Sequence, residues 1–199
     1  MDRATLSRRI FLARSVTGAV GLGLFGTAVF IPSTAQAGGA DDFGDLLAPD
    51  ANGLRLPPGF QSRIVARTGQ QVASTGHVWH ADPDGGAVFA AADGGWVYVS
   101  NAESYRAGAG GVGAIRFDVS ANIVDAYPIL SGTTHNCAGG KTPWQTWLSC
   151  EETPTGRVWE CNPVAIGSQG TVRPALGVFQ HEAANINAVH HWAAYAAIL

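Results

Sequence analysis

The residues with the most chemical promise lie in one run, Thr134-His135-Asn136-Cys137-Ala138-Gly139-Gly140-Lys141-Thr142-Pro143-Trp144-Gln145-Thr146-Trp147-Leu148-Ser149-Cys150-Glu151-Glu152. It reads as a polar loop that carries a thiol, Cys137, and turns through Gly139, Gly140 and Pro143. A Trp-rich strand then ends in two adjacent carboxylates, Glu151 and Glu152. Neighbouring side chains of a regular strand point to opposite faces. At a strand end that rule relaxes, and both carboxylates can face one site. Carboxylate oxygens suit hard cations such as calcium, and thiolate suits iron or zinc. On composition alone, surface carboxylates and a core cysteine are the commoner arrangement.

Two more acids stand in comparable places. Glu103 ends Asn101-Ala102-Glu103, just beyond an apolar strand, and Glu182 follows Phe179-Gln180-His181 after a Pro174–Gly177 turn. A lone Glu at a strand end is usually solvated. His77 and His80 flank Val78-Trp79 at a spacing that allows a shared metal, although paired loop histidines are more often structural. His190 and His191 are given no role.

Two phosphate-binding motifs fail on context. Gly108-Ala109-Gly110-Gly111-Val112-Gly113 fits G-x-G-x-x-G, which needs a helix after it and an acid about 20 residues on. Here Ala114-Ile115-Arg116-Phe117 continues as a strand and position 133 is Thr133. A glycine-rich β turn is the better reading. Gly140-Lys141-Thr142 resembles the end of a P-loop, but the earlier glycine position holds His135 and Pro143 follows at once.

The elements that must position these residues read as short strands. Phe60–Ala66, Trp96–Ser100, Gly113–Asp118, Ile123–Leu130, Thr146–Cys150 and Arg157–Cys161 are rich in aromatic and β-branched residues or bounded by turn residues. Twenty-six glycines and ten prolines agree with a turn-rich chain. The fold class is all-β, and spacings near ten residues point to a sandwich or a propeller.

The start of the chain reads as a leader. Ser7-Arg8-Arg9-Ile10-Phe11-Leu12 is a paired-arginine signal, followed by an apolar run from Val16 to Ile31 and small residues at Ala35-Gln36-Ala37. The run is shorter than the roughly 20 residues a membrane span wants, and its glycines weaken a helix. Residues 1–37 are therefore expected to be a twin-arginine signal peptide, delivered to the translocase of that pathway, with the protein periplasmic or secreted. Residues 38–58 form a lead-in, and 59–199 the β domain.

Charge narrows the partners. The leader removes Arg3, Arg8, Arg9, Arg14 and Asp2 from twelve basic and fifteen acidic residues, leaving eight and fourteen, a net charge of −6. That argues against nucleic acid, which needs a basic face, and suits an acidic surface that gathers cations. Three cysteines leave one unpaired. Cys150 could bond Cys161 or Cys137, and the remaining thiol would be buried, reactive or metal-bound.

A propeller blade takes about 40–50 residues, so about 160 residues make at most four. Asn187–Leu199 has no carboxylate, lysine or arginine and reads unlike a solvent-facing terminus. The chain is therefore expected to be a truncated or frame-shifted portion of a larger β fold.

Five separated segments together resemble the PhoX-like phosphatases, whose members are exported by the twin-arginine route. They are Pro49–Phe60, Asp93–Asn101, Asn136–Glu152, Gly156–Cys161 and His181–Ala184. The resemblance covers nearly all of the chain from the lead-in to about residue 186. It implies a six-bladed β-propeller with calcium and iron in its channel, hydrolysing small-molecule phosphate monoesters. Carried onto matching positions, Cys137 would be the iron ligand and a catalytic residue. Glu152, or Glu151, would be a carboxylate ligand close to the chemistry, with Glu103 and Glu182 as further ligands. Clustered cations would neutralise a phosphate dianion and clamp its oxygens. Two departures stand out. Family members tend to have a histidine where this chain has Ala102, and they carry further glutamates and an arginine beyond Leu199. The rival readings are a non-catalytic or degenerate propeller fragment, and a metalloenzyme of other hydrolytic chemistry.

Overall fold

Alternation along the central strands decides how the sheets stack. In β2 (Trp96–Ala102) and β3 (Gly110–Phe117), Val97, Val99, Val112 and Ala114 bury on one face, and Trp96, Tyr98, Ile115 and Phe117 turn to the other. With β1 (Pro83–Ala90) and β4 (Ile123–Thr133) they make a four-stranded antiparallel sheet in sequence order. A second sheet of the same design follows: β5 (Asn136–Lys141), β6 (Trp147–Glu151), β7 (Val158–Cys161) and β8 (Thr171–Val172). A third begins with β9 (Ala183–Ile186) paired antiparallel to β10 (Ala194–Ala197). The computed structural model describes residues 43–167, 170–186 and 194–197. Contacts divide the chain into units 1–45 and 46–199, and every strand belongs to the second. The expected signal peptide at 1–37 lies outside the described residues.

Three apolar clusters hold the layers. Val65, Ala66, Val72 and Trp79 cover the outer face of the first sheet at Ile115 and Phe117. Phe89, Val97, Val99 and Ile129 meet Trp147 and Cys161 between the two sheets. Leu148, Cys150 and Val158 pack on Ala184 and Ile186 of β9. The opening strands of successive sheets are neighbours: β1 lies beside β5, and β5 beside β9. Both outer strands avoid a long open edge. β4 carries Pro128 next to a register shift, and β8 is two residues long.

The fold is all-β as expected, with two complete four-stranded sheets and no α-helix among the described residues. Two expectations need correction, and one strand was not expected. Phe60–Ala66 is irregular rather than a strand. Only Val65 and Ala66 of that stretch pack on a core cluster, and Ile64 stays half exposed. Pro83–Ala90 is a strand whose glycines, Gly85 and Gly86, mask its pattern. The run through Gly139 and Gly140 is not a turn but the middle of β5. A Cβ on Gly139 would stand 1.9 Å from the Leu148 carbonyl oxygen, and one on Gly140 1.9 Å from that of Ala184. These glycines serve close approach to the flanking strands rather than chain reversal.

Candidate metal centre

The starts of β1 and β5 and the ends of β2 and β6 fall at the same end of their sheets, because each pair is antiparallel. That topology gathers the chemistry. Asp84 is the second residue of β1, Glu103 follows β2, His135 precedes β5, Cys137 is its second residue, and Glu152 follows β6. Main-chain hydrogen bonds fasten these ends together: the Glu103 N–H donates to the Asp82 carbonyl (2.8 Å), His135 to Ser104 (3.1 Å) and Glu152 to His135 (2.9 Å). His135 sits in the two-residue link between the sheets with φ +53, a left-handed backbone that non-glycine residues adopt uncommonly.

Two groups of donor atoms result. Asp84, Glu103 and Cys137 each bring one ligand atom within 4.8 Å of the others, and so do Glu103, His135 and Glu152. Glu103 belongs to both. Cys137 and His135 are buried, Glu103 and Glu152 half-buried, and Asp84 exposed. Burial pushes the Cys137 thiol well above its ordinary value, and a hydrogen bond to Asp84 with the charges of Asp84 and Glu103 pushes it further. Without a cation this thiol keeps its proton; a bound cation reverses the balance and makes it a thiolate ligand. Tyr105, 80% exposed, lies against the His135 ring with centroids 4.1 Å apart.

A buried polar network stands behind the centre. The Asn101 amide donates to the carbonyls of Cys137 (2.7 Å) and Ala138 (2.8 Å), and its oxygen accepts from Trp147 Nε1 and Ser149 Oγ, each at 2.9 Å. Asn136 joins Thr133 Oγ1 (2.6 Å) to Ser149 Oγ (2.9 Å). Asn101, Thr133, Asn136, Trp147 and Ser149 are all buried, so the network fixes the β5 backbone that presents Cys137.

The expected ligands separate into three sets. Glu103 groups with Cys137 on one side and with Glu152 on the other. Glu151 points elsewhere: its carboxylate accepts the N–H groups of Thr134 (2.9 Å) and Arg157 (3.1 Å) and the indole N–H of Trp159 (3.0 Å), bracing the link that holds His135. Glu182, half-buried at the head of β9, joins neither group. Asp84 and His135 were not among the expected ligands. The signal for His135 is its place two residues before Cys137; Asp84 has none beyond an acid at a strand start. His77 and His80 form no group of three donors among the described residues. Burial pushes His80 down to about 4, and its Nε2 lies 3.3 Å from Ser100 Oγ. Gly110 to Gly113 lie within β3, with a strand and no helix after them, and Lys141 Nζ donates to the Val88 carbonyl (2.9 Å). All three cysteines are buried and free.

Residues 87–158 match the family model of alkaline phosphatase PhoX. The match covers about a third of the chain. The segment contains Glu103, His135, Cys137, Glu151 and Glu152, and leaves Asp84 and Glu182 outside. No curated protein and no solved structure matches the chain.

Proposed function

We propose that this chain is a PhoX-family member, an exported, metal-dependent phosphatase that hydrolyses phosphate monoesters on a β-propeller scaffold. The observation that carries the reading is that Glu103 belongs to two donor groups, one with Cys137 and one with Glu152, all three from within the PhoX-matched segment. The propeller is supported by two consecutive four-stranded meanders, the repeating unit of a blade, with their opening strands side by side. Export is supported by the paired arginines Arg8 and Arg9 and the apolar run after them.

The donor set fits the ions implied by the resemblance. Asp84, Glu103 and Cys137 offer a mixed sulfur and oxygen set that suits iron, and the remaining carboxylate oxygens suit calcium. Such ions, when bound, supply Lewis acidity that quenches the charge of a phosphate dianion. The residues do the rest. Glu103 is held by its backbone to Asp82, so its carboxylate reaches both groups from a fixed strand end. The next three residues, Ser104, Tyr105 and Arg106, are tied to the link between the sheets through the Ser104 carbonyl. Arg106 is exposed and makes no ion pair among the described residues. Its planar guanidinium suits the oxygens of a phosphate.

The test is turnover of a simple aryl phosphate by the purified chain at alkaline pH, with iron and calcium supplied. Glu103→Gln and Cys137→Ser should each lower kcat/KM by about 100-fold or more, as expected when a group that holds the charge-quenching ion is lost. Folded, metal-loaded protein that turns over no phosphate monoester would overturn the reading in favour of a non-catalytic scaffold.

A further inference from the structure

The His135 ring is set in one protonation pattern by its surroundings. Its Nδ1 lies 2.9 Å from the backbone carbonyl oxygen of Glu152. A carbonyl oxygen only accepts, so Nδ1 must carry the hydrogen. In the neutral ring Nε2 is then a bare lone pair. That atom is buried, has no hydrogen-bond partner, and stands 3.4 Å from Glu103 Oε1. Two lone pairs this close repel each other, and a positive centre between them, either a second ring proton or a metal cation, removes the repulsion. The Glu152 carboxylate lies 4.0 Å from Nδ1, and Glu103, His135 and Glu152 each bring one donor atom within 4.8 Å of the others.

A histidine that ligates metal commonly donates its other N–H to a backbone carbonyl, which orients the ring and frees one nitrogen for the ion. His135 has this arrangement, and the left-handed backbone that produces it lies in the braced link between the sheets. Imidazole nitrogen suits zinc, iron, nickel or copper, whereas calcium takes oxygen donors.

We propose that His135 Nε2, Glu103 and Glu152 form a nitrogen-bearing site for a divalent transition metal, distinct from the Cys137 position and sharing Glu103 with it. Neither the calcium-and-iron expectation nor the set of expected ligands contains this site. It stands on the ring geometry and does not depend on phosphatase activity.

The test uses the full metal-free chain and cobalt(II), whose visible absorption reports its donors. In Cys137→Ser the sulfur position is removed, and cobalt should still bind with a ligand-field band in the visible. Adding His135→Asn should weaken that binding by at least about 100-fold, since losing a ligand costs no less than losing a partner that orients one; Asn is chosen because it tolerates the positive φ. Calcium in tenfold excess should not displace the cobalt. Undiminished binding in the double variant, or ready displacement by calcium, would overturn the proposal. If the variant fails to fold, ring-nitrogen NMR of the Cys137→Ser protein decides. A shift of His135 Nε2 on zinc addition with the Nδ1 proton retained supports the site; a doubly protonated ring unmoved by zinc sinks it. Cobalt bound at His135 without phosphate turnover would defeat only the phosphatase reading. Turnover with His135→Asn binding cobalt as before would defeat only this one.

Discussion

Glu151 and Glu152 are adjacent and identical in type, yet their surroundings give them opposite work. Glu151 is occupied by three N–H donors, and Glu152 has its carboxylate beside the His135 ring. Glu151→Gln should therefore lower stability by about 2 kcal/mol, since an amide presents hydrogens to donors that need an acceptor. Metal bound per folded molecule should stay the same. Glu152→Gln should do the reverse, sparing the urea midpoint of the metal-free chain and losing metal. Equal effects on both quantities would contradict the division. His80 offers a pH test. Its folded value of about 4 lies below the ordinary 6.5 because burial disfavours the charged ring. The unfolded chain thus binds more protons between those values, and stability present above pH 6.5 is lost as pH falls through that window toward 4. His77, also pushed down by burial, adds in the same direction. Urea midpoints at pH 7.5 and pH 5 should differ, and His80→Leu should remove most of the difference.

At the scale of elements, the glycines of β5 govern whether the strand can lie between β6 and β9. Gly139→Ala would place a methyl against the Leu148 backbone oxygen, so the strand must move rather than a side chain. A loss of about 3 kcal/mol or more is expected, at the top of the range for overpacking, and thermal unfolding would show it. An unchanged Tm would mean that β5 does not pack this way. The same glycines explain what the sequence disclosed and what it hid. β2 was legible because Val97, Tyr98 and Val99 are strand residues by shape. β1 and β5 were not, because Gly85, Gly86, Gly139 and Gly140 imitate turns and reveal their purpose only when a neighbouring backbone is present. Cys137, Glu103 and Glu152 were legible as candidates through the resemblance and through their positions beside strands. His135 and Asp84 were not, since only the pairing of strand ends across two sheets brings them to the others. Glu151 looked as good as Glu152 until its three donors were seen.

Across the whole molecule, Asn101 is a side chain that ties the two sheets together through four hydrogen bonds. It leaves β2 of the first sheet and satisfies two carbonyls of β5 and two donors of β6 in the second. Asn101→Ala would strand four buried partners, for a loss of about 3 kcal/mol. Hydrogen exchange should then quicken in β5 and β6 before β3. Uniform loss of protection would show that the sheets are coupled elsewhere.

The two donor groups span the chain from Asp84 to Glu152, and Glu103 is common to both. Ions held there would act as a removable cross-link, closing a loop of nearly seventy residues in a protein whose three cysteines form no disulfide. A covalent tie around a loop of that size restricts the unfolded chain by on the order of 4 kcal/mol. Metal loading should raise the denaturation midpoint and a chelator should lower it, by an amount that depends on free-ion concentration in the way a disulfide depends on redox potential. The chain would then be strongest in compartments that supply the ion, whatever their redox state.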